Sequence, residues 1–309
     1  MSDQINGTTP DSGEQDAKDI VAEADTGARS PTGFPAKILW FVPLAWATFQ
    51  LWLASPLPFL FRFGIFNSTE ARSIHLAFAI FLAYLAFPAL KSSPRSYIPV
   101  QDWIIATVAA FCAGYQYLFF LGLSERPGLP TQMDIVVSVV GLALILEATR
   151  RALGPPLMIV AAVFMCYTFF GHLAPDVIAW KGASLNKAMS HYYLTTEGVY
   201  GIALGVSTSM VFLFVLFGSL LEKAGAGNYF IRVAFALMGH MKGGPAKAAV
   251  VSSAMTGLVS GSAIANVVTT GTFTIPLMRK VGFSAEKAGA VEVASSTNGE
   301  LTPPIMGAV

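Results

Sequence analysis

Two polar segments interrupt long apolar stretches in the carboxyl-terminal part of the sequence. The first is Ser260-Gly261-Ser262, followed closely by Asn266, and the second is Ser295–Pro304. Glycine and proline can break a helix, which frees backbone carbonyl and amide groups for a ligand. Carbonyl and hydroxyl oxygens suit a hard cation, and the amino-terminal end of a broken helix suits an anion. Because neither segment contains aspartate, we expect cation binding here to use hydroxyl and carbonyl oxygens.

The other residues able to do chemistry do not form a catalytic pattern. A protease or acyltransferase embedded in a membrane would need paired aspartates, a serine with a base, or a histidine with an aspartate in adjoining spans, and the apolar segments contain no such pair. The histidines and cysteines are too scattered for an HExxH or CxxC site: His75, His172, His191, His240, Cys112 and Cys166. We therefore predict that the protein is not an enzyme and that it holds no cofactor.

The composition is that of an integral membrane protein. Of the 309 residues, 54% are hydrophobic and only 12% are charged, whereas soluble domains carry roughly 25% charged residues. The formal net charge of +1 argues against a nucleic-acid-binding protein. Residues 1–36 are polar and lack apolar periodicity, so we predict a disordered cytoplasmic tail. This tail contains seven acidic residues before the first apolar stretch, which is not the pattern of a cleavable signal peptide.

The elements that would position the polar segments are apolar helices, and the predicted fold is an all-α integral membrane protein. Six segments have about the length that a bilayer core requires: Ile38–Phe61, Ile74–Leu90, Trp103–Leu123, Met133–Ala148, Pro155–Ala174 and Val199–Leu221. If the tail is cytoplasmic and each segment crosses once, most of the 19 Lys and Arg residues lie on the cytoplasmic side. The sequence thus predicts a multi-pass protein with a cytoplasmic amino terminus. At the end of the fourth segment, Glu147 precedes Arg150 and Arg151 at helical spacing, which favours ion pairing at the interface.

Residues 247–278 do not fit a single crossing. A straight helix over this stretch would be about 48 Å long, whereas two full spans would need about 40 residues and a turn. Both flanks are basic, so two half-helices that enter and leave on the same side explain length, composition and charge together. The alternatives are a glycine-rich packing helix for this stretch and an extramembrane loop for Ser295–Pro304. Two interrupted segments in succession favour a transporter site.

Glu300 beside the second segment is a candidate for proton or cation binding, and Glu292 is more typical of a structural residue.

Several motifs resemble the large membrane subunit of TRAP (tripartite ATP-independent periplasmic) transporters. The resemblance is specific over residues 195–309 and weaker over 38–174. The motifs that carry it are Val211–Gly218, Lys223-Ala-Gly225, Gly243–Lys247, Gly257–Asn266, Thr269–Met278, Ala288–Glu292 and Asn298–Met306. Permeases with fused small and large subunits, the type paired with TAXI-class binding proteins, are the most similar.

The resemblance implies an architecture with three parts. Residues 1–36 would be the cytoplasmic tail, residues 37–152 a four-helix domain like the small subunit, which acts as a stator, and residues 153–309 the amino-terminal part of the large-subunit transport domain. That part would be half of an elevator-type transporter with a re-entrant helical hairpin and a broken helix. The family has a second inverted repeat, so we expect the chain to be truncated at Val309; the alternative is a non-transporting fragment or scaffold.

The resemblance also implies a function and partners. The protein would be the permease component of a secondary transporter in the bacterial inner membrane, where a periplasmic TAXI-type binding protein delivers a small organic acid and a sodium gradient drives uptake. Proton coupling is the alternative. Sodium would contact five positions that match family sites: Ser260, Gly261, Ser295, Thr297 and Gly299. The substrate would contact four others: Ser262, Asn266, Asn298 and Thr302.

Overall fold

The computed structural model describes residues 28–90, 92–261 and 263–302, and every regular element within these ranges is helical. The predicted all-helical architecture is therefore confirmed for this part of the chain. The described residues form two compact units, 28–210 and 211–302. The predicted boundary between a part like the small subunit, residues 37–152, and a part like the large subunit, residues 153–309, stays a prediction.

The amino-terminal unit contains nine helices. They are α1 (Phe34–Ala54), α2 (Leu57–Phe61), α3 (Ser68–Ala86), α4 (Val100–Leu118), α5 (Phe120–Ser124), α6 (Gln132–Leu153), α7 (Pro155–Phe170), α8 (Leu185–Met189) and α9 (Ile202–Val206). A 3-10 turn at Gly171–Leu173 follows α7, and π-helical turns at Ser190–Leu194 and Ser207–Val211 follow α8 and α9. The carboxyl-terminal unit contains α10 (Phe212–Lys223), α11 (Ala226–Met238), α12 (Gly244–Ser260), α13 (Ala263–Lys280), α14 (Ala285–Ser296) and α15 (Asn298–Leu301).

Four helical stretches among the described residues are long and apolar enough to cross a membrane. They are Phe34–Ala54, Gln132–Leu153, Pro155–Leu173 and Ile202–Leu221. Helices α3 and α4 each have 19 residues; α3 begins six residues and α4 three residues before the segment predicted for it. The crossings predicted at Ile74–Leu90 and Trp103–Leu123 fall outside these four and remain predictions.

The predicted first span, Ile38–Phe61, is two helices rather than one. Helix α1 ends at Ala54, and Ser55 is extended with a ψ of 163°. Proline disfavours the helical conformation of the residue before it, and Pro56 follows directly. Helix α2 then begins at Leu57. The apolar pattern alone could not place this break, because both helices are apolar.

Helix α3 begins at a capping box and packs closely against α4 through small residues. Helix α3 begins in a capping box, in which the side chain of Asn67 accepts from Glu70 N and the Glu70 carboxylate accepts from Asn67 N. On α4, Ala106, Ala109 and Ala113 are fully buried in one core with residues of α3. Alanines at this spacing share a helix face and let two backbones approach closely.

Residues 28–36 are ordered, which corrects their assignment to the disordered tail. Arg29 is buried, and its guanidinium donates to the carboxylate of Asp102 over 2.6 Å. It also donates to the carbonyls of Tyr84 and Leu85, and the Arg29 amide donates to Ala86 O over 2.7 Å. These carbonyls lie in the last turn of α3, where helical partners are missing. The compositional argument missed this segment because one ion pair and a few backbone contacts order it.

The predicted ion pairing near Glu147 is confirmed and extends further. The carboxylate of Glu147 accepts from Arg150 over 2.7 Å and from Arg151 over 2.9 Å. Arg151 also donates to Asp102 over 2.9 Å, and its guanidinium lies over the ring of Tyr84. The pairs therefore tie α6 to α3 and α4.

Helices α12 and α13 form an antiparallel hairpin. Gly261 ends α12 with a φ of +65°, a left-handed conformation that glycine adopts without steric cost. Far from this turn, Ala249 of α12 and Met278 of α13 belong to one buried cluster with Ala288 of α14. Nearer to it, Asn266 of α13 contacts Ser253 of α12. The predicted pair of shorter helices is thus confirmed as a hairpin, whereas its position in a membrane stays a prediction.

Candidate ion and substrate site

The turn of the hairpin carries the first group of predicted site residues. Ser260 is the last residue of α12, and Gly261 follows with the positive φ that reverses the chain. Ser262, a predicted substrate residue, lies outside the described residues. Asn266 is fully buried, and its side-chain amide donates to Ser253 O and Ser253 Oγ, both over 2.9 Å. Asn266 therefore joins the two helices of the hairpin.

The second group of predicted site residues lies on α14 and α15, where the sequence predicted an interruption at Ser295–Pro304. Ser295 and Ser296 are the last residues of α14, and Thr297 keeps helical angles of −58° and −24° before α15 begins. The chain leaves the helical conformation only at Thr302, whose ψ is 120°. This departure lies within the predicted interruption, Ser295–Pro304, whereas Ser295, Ser296 and Asn298–Leu301 are helical. Proline at position 303 disfavours helix at Thr302, which explains the later departure. Pro303 and Pro304 lie outside the described residues.

Two glycines bring the hairpin and the α14–α15 segment together. A side chain on Gly257 of α12 would place its Cβ 2.6 Å from the Cα of Gly299 in α15. Such a distance leaves no room for a Cβ, so the backbones themselves are in contact. Gly257 lies one helical turn before Gly261. The predicted neighbourhood of the hairpin turn and the residues around Asn298 is thus observed at the level of the backbone.

A set of buried polar side chains on the hairpin and on α14 forms what we call the Glu292 cluster. Its members come from α12, α13 and α14, and each is fully buried: Ser253, Asn266, Thr270, Thr274, Glu292 and Ser296. One carboxylate oxygen of Glu292 contacts the hydroxyl of Thr270, and the other contacts the hydroxyl of Thr274. Ser296 Oγ lies 3.5 Å from Glu292 and 3.3 Å from Ser253 Oγ. The cluster therefore connects the carboxylate to the hairpin through hydroxyl groups.

The predicted site residues differ in how available they are to a ligand. The hydroxyls of Ser295, Thr297 and Thr302 donate to backbone carbonyls of their own helical segment. Thr297 is exposed, Asn298 is half-buried, and Gly299 is buried against the hairpin. The structure thus brings Gly261, Asn266 and Gly299 into one region, while the Thr297 side chain lies outside it. Their roles in binding stay predictions.

Thr270, Thr274 and Ser253 were missed in the sequence. Asn266, Thr270 and Thr274 follow one another at four-residue spacing, which places them on one face of a helix. That spacing was a usable signal for a polar helix face. Ser253 had no such signal, because its contact with Asn266 depends on the hairpin turn. Among the described residues, no group of three or more His, Cys, Asp or Glu side chains could hold a metal ion.

Comparison with known proteins decides the family. The family model described as "Tripartite ATP-independent periplasmic transporter, DctM component" matches residues 140–309, which is more than half of the chain. The chain belongs to this transporter family. The resemblance to the large TRAP subunit is therefore confirmed, and the match includes the hairpin and the Glu292 cluster.

Three curated relatives carry the same family name. The ectoine TRAP transporter large permease protein TeaC of Halomonas elongata is 34% identical over 97 residues, which are 31% of this chain and 23% of TeaC. The C4-dicarboxylate TRAP transporter large permease protein DctM of Vibrio cholerae is 38% identical over 91 residues, 29% of this chain and 20% of that protein. The DctM protein of Rhodobacter capsulatus is 36% identical over 91 residues, 29% of this chain and 21% of that protein.

The chain spans between a fifth and about a third of the length of the curated relatives it matches. No solved structure matches it. Because the relatives are transporter permeases, the prediction that this TRAP family member is not an enzyme is confirmed. The family and the four apolar helical stretches together indicate a multi-pass membrane protein.

Proposed function

We propose that this chain is a permease component of a binding-protein-dependent secondary transporter that imports a small organic acid with sodium. The observation that carries the proposal is the match to the DctM component over the hairpin and the following helices. The named relatives are permeases for ectoine or C4-dicarboxylates, and each is a small molecule with a carboxylate. A periplasmic binding protein of the TAXI class would deliver the substrate to the outer face of the inner membrane.

In this proposal the two parts of the chain have different roles. Residues 37–152 resemble a small subunit fused to the large one and act as the stator, with the amino terminus in the cytoplasm. The hairpin of α12 and α13 enters the membrane and leaves on the same side, and it moves with α14 and α15 as part of an elevator. Non-helical backbone at membrane depth needs polar partners, and the close contact of Gly257 with Gly299 supports a protected position for the hairpin turn.

The membrane position of the hairpin is tested by labelling from each side. Lys247 on α12 and Lys280 on α13 are exposed and lie at the end of the hairpin away from Gly261. With Cys112 and Cys166 replaced, cysteines at these two positions should react with an impermeant thiol reagent from the cytoplasmic side. A cysteine at Lys181, which the charge distribution places outside, is the control and should react from the opposite side. Reaction of Lys247→Cys and Lys280→Cys from opposite sides would exclude the re-entrant hairpin.

Sodium binding is tested without any transport measurement. A ligand that binds only the folded protein stabilises it, by about 2.7 kcal/mol when its concentration is 100 times its Kd. The detergent-purified chain should therefore show a higher Tm in sodium chloride than in potassium chloride at equal ionic strength. Ser295→Ala should reduce this difference, because the buried Ser295 is one of the predicted sodium positions. Ser219→Ala, an exposed change on α10, should keep it. Equal Tm values in the two salts would refute sodium binding by this chain.

A further inference from the structure

The carboxyl group of Glu292 has no positively charged partner among the described residues. It is fully buried between α12, α13 and α14. The charged side chains on the helices packed around it are all exposed: Lys247 on α12, Arg279 and Lys280 on α13, Glu286 and Lys287 on α14, and Glu300 on α15. None of these forms an ion pair with Glu292 in the described part of the chain. An ionised carboxylate at this position would be a buried charge without a counter-ion, which is unfavourable.

The hydroxyl groups around Glu292 have too few protons for the contacts they make. Thr270 Oγ1 contacts Glu292 and lies 2.8 Å from the carbonyl of Asn266. Thr274 Oγ1 contacts the other carboxylate oxygen and lies 3.0 Å from the carbonyl of Thr270. Each hydroxyl has a single proton to donate, so two protons serve four oxygen–oxygen contacts. A proton on the carboxyl group supplies a third donor.

We propose that Glu292 binds a proton and that the Glu292 cluster is a proton-binding site of the permease. In the protonated state, the carboxyl O–H donates to Thr274 Oγ1, and the Thr274 hydroxyl donates to the carbonyl of Thr270. The other carboxyl oxygen accepts from the hydroxyls of Thr270 and Ser296. This arrangement leaves no net charge in the buried cluster, and both carboxyl oxygens keep a hydrogen bond.

The same cluster connects this proton to the hairpin. Asn266 Nδ2 donates to Ser253 Oγ, Ser253 Oγ lies 3.3 Å from Ser296 Oγ, and Ser296 in turn reaches Glu292. At the far end, Asn266 Oδ1 is buried and has no hydrogen-bond partner among the described residues. An open acceptor next to the hairpin turn is suited to a ligand that donates a hydrogen bond or carries positive charge. Loss of the proton would change the donor pattern along this path.

Infrared difference spectroscopy of the detergent-purified chain tests the proposal directly. A protonated carboxylic acid has a carbonyl stretching band that shifts in heavy water, and it is distinct from the bands of an ionised carboxylate. At neutral pH the wild-type protein should show this band. Glu292→Gln, which has the shape and hydrogen-bonding pattern of the neutral acid, should lose the band and keep the wild-type Tm. The matched control Glu300→Gln changes an exposed carboxylate and should retain the band.

A second variant keeps the test independent of how Glu292→Gln folds. Thr274→Val removes only the hydroxyl that contacts the carboxyl group and should shift the frequency of the band without abolishing it. Absence of a protonated-acid band at neutral pH would overturn the proposal. A carboxylate band of Glu292 that shifts when sodium is added would also overturn it, in favour of a cation site. The role of this proton in transport rests on the proposed function, but its presence is measured without uptake, so the two can fail separately.

Discussion

Replacing Gly257 by alanine tests whether the backbones of α12 and α15 are in contact. The new Cβ would lie 2.6 Å from Gly299 Cα and 3.0 Å from Gly299 N. Both are backbone atoms, so no change of side-chain rotamer can relieve the overlap, and one helix must shift. Overpacking of this kind costs about 1–3 kcal/mol, and the higher helix propensity of alanine returns up to about 1 kcal/mol. We expect a net loss of about 1–2 kcal/mol.

Gly289→Ala is the matched control for this prediction. Gly289 lies in α14, the helix that precedes α15, and a Cβ built on it has no neighbour within 4 Å. Alanine should therefore stabilise the helix by about 0.5–1 kcal/mol. Thermal unfolding in detergent, followed by circular dichroism, should rank the Tm values with Gly257→Ala lowest and Gly289→Ala at or above wild type. Equal Tm values for the two variants would refute the backbone contact and the arrangement of hairpin and α14–α15 derived from it.

Two further predictions concern the amino-terminal unit. Arg29→Ala removes a buried partner of Asp102, while Arg151 still pairs with this carboxylate. We therefore expect the free energy of unfolding to fall by about 2–3 kcal/mol, less than the roughly 3–5 kcal/mol typical of a buried charge left without any partner. Urea unfolding in detergent measures this difference, and an unchanged free energy of unfolding would contradict the contacts of Arg29. Gly141→Ala would place a Cβ against the buried hydroxyl of Tyr193 and should lower the Tm, whereas Gly114→Ala, with nothing within 4 Å, should not. A Tm for Gly141→Ala at or above that of Gly114→Ala would contradict this packing.

The fold class and the hairpin could be predicted from the sequence because they depend on local composition and length. Apolar runs of about 20 residues have few alternatives to helices. The hairpin followed from a stretch too long for one crossing and from Gly261, whose positive φ is observed. The break after Ala54 was missed, since only Pro56 marked it within a continuous apolar run. Ordering of Arg29 was missed because it depends on an ion pair with a residue far along the sequence.

The sequence predicted that the hairpin turn and the segment near Asn298 are neighbours, but not the contacts between them. Polar residues in apolar surroundings identified Asn266 and the segment near Asn298, and the structure brings these regions together through Gly257 and Gly299. The sequence could not show which hydroxyls contact the carboxylate of Glu292, because those contacts join three helices. Glu292 was interpreted as structural because the sequence places it one or two turns inside the predicted cytoplasmic end. Its lack of a cationic partner is visible only once the exposure of the neighbouring basic residues is known.

The contact of Arg29 with the end of α3 has a consequence for the stability of that helix end. The carbonyls of Tyr84 and Leu85 accept from a residue 55 and 56 positions earlier in the chain, rather than from a local capping residue. Closing so large a loop costs entropy before the contact is gained. The last turn of α3 therefore completes its hydrogen bonding only when the segment before α1 is in place, so the stability of this helix end depends on a residue far away in the sequence.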